Sequence, residues 1–197
     1  NPGSMLDVDA IANLLGLSRT PVLEAITLLE REGYLVVVPQ VGVFVRIAEA
    51  NEIYQRILAR AVLEGFLAAH AASNVNESFL QHLEALLERM DAAPSPHTYA
   101  KLNREFHSAI HRQAGLVIIQ RLVEELWDYI RYIAYADQLF ADRSVSQKQH
   151  RAILGALRSK DPIRARKLME KHVLRAAELF SPNVTKQQED TTTTHKR

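Results

Sequence analysis

The sequence predicts a mainly α-helical protein in two parts, on three observations. Long segments repeat their apolar residues with the period of a helix, whereas almost none alternate. Glycine and proline, which punctuate turns, number only seven each in 197 residues. One pair of short β-branched runs, between residues 34 and 47, separates a small helical front from a long helical rear.

Composition limits the classes of protein that this chain can belong to. Hydrophobic residues make up 47% and charged residues 24%, which are ordinary values for a folded protein. The sequence has no cysteine, so disulfides and thiolate chemistry are excluded. It shows no apolar run of about 18 residues and no export leader, so we expect a cytoplasmic protein without a membrane partner. The net charge of +1 by itself points to no polyanionic partner.

The front part, residues 1–47, is predicted to contain two short helices and a β-hairpin. Asp7 to Leu15 carries its apolar residues on one helical face. A second helix follows, with Ser18 or Thr20 as its cap and Pro21 in its first turn. The runs YLVVV and VFVRI, split by PQVG, then form the hairpin.

The rear part, residues 48–182, is predicted to be an all-α bundle of about six helices. The predicted helices are Glu52–Ala72, Glu77–Met90, Tyr99–Ala114, Val117–Phe140, Ser146–Ser159 and Pro162–Phe180. The last segment, residues 183–197, has almost no apolar residues, so we expect a disordered tail.

Helix, tight turn, helix and hairpin is the order of a winged helix-turn-helix. The stretch LSRTPVLEAITLLEREGYL, followed by VPQVGVFV, resembles the DNA-binding domain of the GntR family of bacterial repressors. The resemblance covers residues 3–45 and implies that the second helix enters the major groove. It implies contacts to phosphates and bases from Ser18, Arg19 and Thr20 at the start of that helix, and from Gln40 in the wing.

The front part departs from the family pattern in ways that lower the expected DNA affinity. Leu23 stands where the family carries arginine, and Asp9 stands near a place that is often basic. Gln40 and Val41 replace a glycine-rich, basic wing tip. Residues 1–47 hold three arginines against five acids, a net charge of −2, and DNA affinity depends mostly on neutralising phosphates.

The family pattern also places a helix before PGS, and the sequence leaves no room for it. We therefore expect the natural protein to be longer, with the apolar faces around Leu14, Ile26 and Leu29 partly uncovered in this chain. A winged helix used only for protein contacts is the alternative for this unit.

Three histidines of the rear part lie on the apolar faces of separate predicted helices. His107 follows Asn103 by one turn in LNREFHSAIH, His150 begins the stripe of HRAILGAL, and His172 lies in that of LMEKHVLRAAELF. Neutral imidazoles bind zinc, nickel, copper or iron, and a mixed nitrogen and oxygen site also takes manganese. Spacing alone leaves two alternatives open, a metal site and hydrogen-bonded core histidines.

The stretches NREFHSAIHRQAG, QHRAILGALRSKD and ARKLMEKHV resemble the C-terminal effector domain of the FadR subgroup of GntR regulators, over about residues 52–180. The resemblance implies a divalent metal held by Asn103, His107, His150 and His172, with zinc expected first and nickel or manganese as alternatives. It also implies that the metal binds the carboxylate of a small organic-acid effector. Asn103 replaces the usual aspartate and brings no charge, and His111 is a fallback ligand.

Two arginines are candidates for binding the far end of the effector. Arg131 lies one turn from Trp127 and from Tyr135, which would shape a pocket wall. Arg60 lies one turn before Glu64, so an internal ion pair between these two residues is an equal alternative to an effector clamp.

These features predict a metabolite-responsive repressor that binds operator DNA as a homodimer and responds to a metal-bound small carboxylate. No catalytic nucleophile or paired carboxylate stands out, so we expect no enzyme activity. Two alternatives stay open. One is a metal-dependent enzyme that uses the three histidines, for which Glu105 is the nearest acid by spacing. The other is a sensor whose DNA binding has weakened.

Overall fold

The computed structural model of the chain describes residues 2–133 and 143–181, and of residues 130–133 it describes the backbone alone. The described residues form two compact units that divide between Glu49 and Ala50. Helices dominate both units, and a small antiparallel sheet lies in the front unit. The predicted fold class, mainly α with a small hairpin near the front, is therefore confirmed.

The front unit contains two short helices and three strands. In chain order they are β1 (Met5–Leu6), α1 (Val8–Leu15), α2 (Arg19–Arg31), β2 (Leu35–Val38) and β3 (Gly42–Val45). The Asp7 side chain caps α1 by accepting a hydrogen bond from the Ala10 amide at 2.9 Å. Gly16 ends α1 with φ 65°, in the left-handed region that favours glycine. Ser18 occupies the N-cap position of α2, but its side chain forms no cap hydrogen bond.

The three strands form an antiparallel sheet in the order β1–β3–β2. Val36 of β2 and Met5 of β1 both pair with Phe44, which makes β3 the central strand. The sequence predicts β2 and β3 from their β-branched runs. It does not predict β1, because a strand of two residues is too short to show alternation. Gln40 lies in the turn between β2 and β3 with φ 61°.

A small apolar core joins the elements of the front unit. Its buried members are Ala12, Val22, Ile26, Leu35 and Val43. Leu14 and Leu29 are 85% and 38% exposed, in agreement with the expectation that their faces are partly uncovered. The expectation is wrong for Ile26, which is only 5% exposed because it belongs to this core.

The rear unit is an all-α bundle. Its described helices are α3 (Ala50–Ser73), α4 (Glu77–Asp91), α5 (Pro96–Ala114), α6 (Val117–Ile133), α7 (Arg143–Arg158) and α8 (Pro162–Glu178). Each corresponds to a predicted helix, with ends shifted by a few residues. For example, α5 begins three residues earlier than predicted, because Ser95 caps it by accepting a hydrogen bond from the Thr98 amide at 3.1 Å. The rest of the helix predicted to reach Phe140, and the predicted tail 183–197, lie outside the described residues.

Among the described helices α3 is the longest; it packs against α5, α6, α7 and α8, and most extensively against α8. The two helices approach closely at Gly65, where an added Cβ would lie 2.4 Å from Cγ of Glu170. Through residues 2–133 and 143–181, no helix combines the length and apolar character needed to span a membrane.

The core of the bundle is apolar except in one region. Large apolar side chains such as Ile57, Phe106, Ile110, Ile153 and Met169 fill most of it. Polar side chains are also buried there, namely Arg60, Glu64, Asn103, His107, His111, Gln147 and His150. Burying polar groups costs free energy unless they are hydrogen-bonded or bind a ligand. This region is therefore where a functional site is expected.

Candidate functional sites

Three histidines from three helices direct one ring nitrogen each to the same place in the bundle. His107 lies on α5, His150 on α7 and His172 on α8. The Nε2 atom of His172 lies 3.2 Å from that of His107 and 3.0 Å from that of His150. A ligand atom from each ring lies within 4.8 Å of the other two. The structure thus brings together the three histidines that the sequence singles out.

The other nitrogen of each ring faces an oxygen atom. The Nδ1···O distances are 2.6 Å from His107 to Oε2 of Glu64, 3.1 Å from His150 to Oε1 of Gln147 and 2.9 Å from His172 to Oε1 of Gln149. A hydrogen bond donated from Nδ1 places the only ring proton there and leaves a lone pair on Nε2. Outer partners of this kind orient the histidine ligands of metal sites.

The surroundings of Gln147 fix the tautomer of His150. The Gln147 amide nitrogen donates hydrogen bonds to the Leu87 carbonyl at 3.0 Å and to Oδ1 of Asp91 at 2.7 Å. Both partners are acceptors, so the amide oxygen faces His150. His150 therefore donates from Nδ1. Nδ1 of His107 faces Oε2 of Glu64, and an ionised carboxylate can only accept a hydrogen bond.

Burial keeps the three imidazoles neutral. It lowers the pKa of His107, an effect that the charge of Glu64 opposes in part. Burial, together with the neighbouring His172 and His107, lowers the pKa of His150 well below its ordinary value. Burial and His107 lower the pKa of His172 to about 3. All three rings are therefore in the state that binds metals at neutral pH.

The arrangement fits a cation better than it fits a hydrogen-bonded core. Lone pairs at 3.0 and 3.2 Å repel one another unless a proton or a metal ion lies between them. Two nitrogens that each lie 2.0–2.1 Å from one zinc ion are about 2.9–3.4 Å apart when the N–Zn–N angle is between a right angle and the tetrahedral angle. The observed separations fall in this range.

Two further side chains of α5 belong to the predicted ligand set or its fallback. Asn103 is buried and lies one turn before His107 on the same face of the helix. His111 is also buried, but its Nε2 atom lies 3.2 Å from Oε2 of Glu64. In this structure His111 is therefore a partner of Glu64.

Glu64 on α3 forms the centre of a buried hydrogen-bond cluster next to the histidines. Its Oε1 accepts from Arg60, with Nε at 2.9 Å and Nη2 at 2.7 Å, and from Nε1 of Trp127 at 3.0 Å. Its Oε2 accepts from His107 and His111. Burial raises the pKa of Glu64, but the charge of Arg60 and the interactions with His107 outweigh it, so the pKa lies well below its usual value.

Of the three predicted effector residues, the structure describes the side chain of Arg60 alone. Arg60 is buried, forms the internal ion pair with Glu64, and lies with its guanidinium carbon 3.7 Å from the centre of the Trp127 ring. The side chain of Arg131 and all of Tyr135 lie outside the described residues.

Both units match known families. The family model described as "Bacterial regulatory proteins, gntR family" matches residues 1–45, and the model of the FCD domain matches residues 53–175. The chain belongs to the FCD domain family. It is a transcriptional regulator with a GntR-type DNA-binding domain in front of an FCD effector domain.

Relatives of this FCD protein carry the same kind of name. The Nta operon transcriptional regulator of Aminobacter aminovorans is 28% identical over 158 residues, which cover 79% of this chain and 74% of that protein. The HTH-type transcriptional regulator McbR of Escherichia coli (strain K12) is 28% identical over 167 residues, covering 81% and 75%. The family and these relatives are regulators rather than enzymes, as the sequence predicts.

Solved structures share the fold of the FCD protein. E. coli McbR/YncC superposes with a TM-score of 0.68 at 25% identity, over 91% of this chain and 88% of that chain. A putative transcriptional regulator GntR from Rhodococcus sp. RHA1 superposes with a TM-score of 0.70 at 21% identity, over 91% of this chain and 88% of that chain. At this identity the likeness shows the fold alone.

In the GntR-type domain, the predicted DNA-contacting residues lie on the exposed start of α2 and in the wing turn. Ser18, Arg19, Thr20 and Gln40 are all exposed. Arg19, however, forms an ion pair with Asp9, its Nη1 lying 3.0 Å from Oδ1. Leu23, one turn after Arg19, is 42% exposed.

The role of Glu64 in the FCD domain does not follow from the sequence prediction. The sequence pairs Glu64 with Arg60 and gives Glu105 as the nearest acid to the histidines by spacing. The second expectation is wrong, because Glu64 contacts His107 directly from another helix. A signal was present: Glu64 falls in the apolar stripe of α3, seven residues after Ile57 and four before Ala68, which are both fully buried. A carboxylate in such a stripe requires a buried partner.

Proposed function

We propose that the FCD domain holds one divalent cation with His107, His150 and His172, and that Asn103 supplies an amide oxygen. The observation that supports this most is that the three Nε2 atoms converge while each Nδ1 atom lies within hydrogen-bond distance of a side-chain oxygen. Zinc is the cation expected first, with nickel or manganese as alternatives. Bound there, the cation supplies a Lewis-acid site for an anionic ligand.

The effector we propose is a small organic acid. Three neutral imidazoles and an amide bring no negative charge, so a divalent cation held by them keeps its charge and attracts a carboxylate. Arg60, Arg131 and Tyr135 are the proposed residues for the far end of the acid. Arg60 and Glu64 form an ion pair in the free protein. Arg60 therefore binds the effector only if its guanidinium contacts both Glu64 and the effector.

The whole chain is proposed to act in the cytoplasm as a repressor of the FadR subgroup, with its DNA-binding domain at residues 1–47 and its effector domain at 48–182. A homodimer on a two-fold-related operator is proposed because one recognition helix reads too few base pairs. The effector regulates DNA binding only if its affinity differs between the DNA-competent and DNA-released states.

Zinc titration of the chelator-treated chain tests the metal site. We expect one zinc ion per chain. Replacing any one of His107, His150 or His172 by alanine should lower the affinity by more than the roughly 10–100-fold that loss of an outer partner costs. His82→Ala, which changes an exposed histidine of α4, is the matched control and should bind as the wild type does. A wild-type chain that binds neither zinc, nickel nor manganese contradicts the proposal.

A sensor with weakened DNA binding is the second candidate, favoured by the front domain. Arg19 is paired with Asp9, and Leu23 offers no charge on the exposed face of α2. A mobility-shift assay of wild type and Leu23→Arg on the chain's own upstream DNA, at low salt, separates the two candidates. Binding by the wild type supports the repressor, and binding that requires the substitution supports the weakened sensor.

A further inference from the structure

Glu64 holds two kinds of partner on its two oxygen atoms, and both oxygens act only as acceptors. Oε1 receives three N–H groups, two from Arg60 and one from Trp127. Oε2 receives the N–H groups of His107 and His111. The side chain is fully buried, so bulk solvent does not replace a missing acceptor.

An amide in the place of this carboxylate cannot satisfy both sides. Glutamine has one oxygen that accepts and one NH2 group that donates. Arg60 is a permanent cation and donates twice to the same oxygen, so it holds the amide oxygen on its own side. The NH2 group then faces His107 Nδ1. That nitrogen must become an acceptor, and the ring proton moves to Nε2, the atom that faces His172.

We propose that Glu64 is a positioning residue that fixes the tautomer of His107, and that Arg60 acts on the histidine cluster through Glu64. This inference rests on the proposed metal site, because a proton on Nε2 removes His107 as a ligand. The same carboxylate joins the arginine proposed for the effector to a proposed metal ligand, at 2.7 and 2.6 Å. A substitution at Arg60 is therefore expected to change the tautomer of His107.

Two readouts on the full-length chain test the proposal. Spectra of 15N-labelled histidine in the metal-free protein report which ring nitrogen carries the proton, and competition with a chromophoric chelator gives the zinc affinity. In Glu64→Gln we expect His107 to change from the Nδ1–H to the Nε2–H form, and the zinc affinity to fall about 10–100-fold. Glu84→Gln, an equal change at an exposed ion pair with Arg158, should alter neither readout.

A double variant separates tautomer control from general damage. In Arg60→Met/Glu64→Gln the two N–H groups of Arg60 are gone. Trp127 is then the one donor left on that side, against His107 and His111 on the other, so the amide oxygen can turn to His107. We expect the Nδ1–H form to return and the zinc affinity to recover by at least a factor of three over Glu64→Gln alone. A merely structural role predicts that the double variant is the weaker binder.

The outcomes distinguish this inference from the proposed function. If the wild type binds no zinc, the proposed function fails, but the tautomer of His107 in the metal-free wild type still tests Glu64. An Nε2–H form in the wild type overturns the inference even if no variant folds. Zinc affinities of wild type and Glu64→Gln that agree within twofold, with the tautomer unchanged, overturn it while leaving the metal site intact.

Discussion

At the scale of residues, the acid Asp9 lowers the positive charge that Arg19 can offer to DNA phosphates. Both side chains of this ion pair are exposed, Asp9 to 66% and Arg19 to 62%. Such pairs contribute only about 0–1 kcal/mol, so DNA phosphates compete with Asp9 for Arg19. If Arg19 contacts DNA as predicted, Asp9 stays beside it and repels the phosphates.

Asp9→Asn should therefore raise DNA affinity, by roughly 3- to 10-fold at low salt, with a smaller gain at high salt. Fluorescence anisotropy on operator DNA gives the affinity. Glu32→Gln, at the opposite end of α2 from Arg19, changes the net charge equally and serves as the control. An equal gain in both variants would show that net charge alone acts, and that the ion pair has no part.

The sequence reveals some residues of the histidine site and not others. His107, His150 and His172 were predictable, because each lies in a helical stripe whose other members are apolar. The apolar stripe of α3 marks Glu64 as buried, but its contact with His107 and the contacts of Gln147 join different helices and depend on how the bundle packs. The Asp9–Arg19 pair was missed for the same reason, since it joins α1 to α2.

At the scale of elements, the most extensive contact in the bundle is the one between α3 and α8, and it sets the distance between these two helices. Because α8 carries His172 and α3 carries Glu64, their separation also sets the geometry of the histidine cluster. Gly65 lies in this contact, where an added Cβ would come within 2.4 Å of Cγ of Glu170, an atom near the backbone end of that side chain. The sequence predicted both helices but gave no sign that they meet at this glycine.

Gly65→Ala should destabilise the FCD domain by about 1–3 kcal/mol, the usual cost of overpacking. Gly155→Ala is the matched control: this glycine lies inside α7 with nothing within 4 Å of the added Cβ, so the substitution should stabilise by about 0.5–1 kcal/mol. Urea unfolding followed by the fluorescence of Trp127, the sequence's single tryptophan, measures both. Similar stabilities for the two variants would mean that the close approach is absent.

At the scale of the molecule, the neutral buried histidines make stability depend on pH. In the folded chain the pKa of His107, His150 and His172 lies below the ordinary 6.5, and that of His172 is about 3. Below pH 6.5 the unfolded chain therefore binds protons that the folded chain does not. Stability is full above this pH and falls as the pH falls.

We expect the free energy of unfolding to fall as the pH drops below 6.5, mainly through His150 and His172, whose pKa values are lowered most, by on the order of 1 kcal/mol per pH unit for each of these two rings. Urea unfolding in the presence of a chelator, at pH 7.5, 6.5 and 5.5, measures the slope. His150→Gln should give a shallower slope than the wild type, whereas His82→Ala should not. A wild-type stability that is flat toward pH 5.5 would mean that folding leaves the pKa of these rings unchanged, and one that rises would mean that folding raises it.

The general architecture, a small winged unit followed by a helical bundle, was predictable because helical period, capping residues and turn glycines agree along the chain. The position of β1 and the hydrogen bonds between helices were not, because they arise only once distant segments pack.

The most direct test of the metal site is anomalous X-ray diffraction from crystals of the full-length chain grown with zinc, recorded at the zinc absorption edge. The account predicts a peak about 2.0–2.1 Å from the Nε2 atoms of His107, His150 and His172. A map with zinc elsewhere and nothing among these rings, or with the three rings bonded to one another through protons, would contradict it.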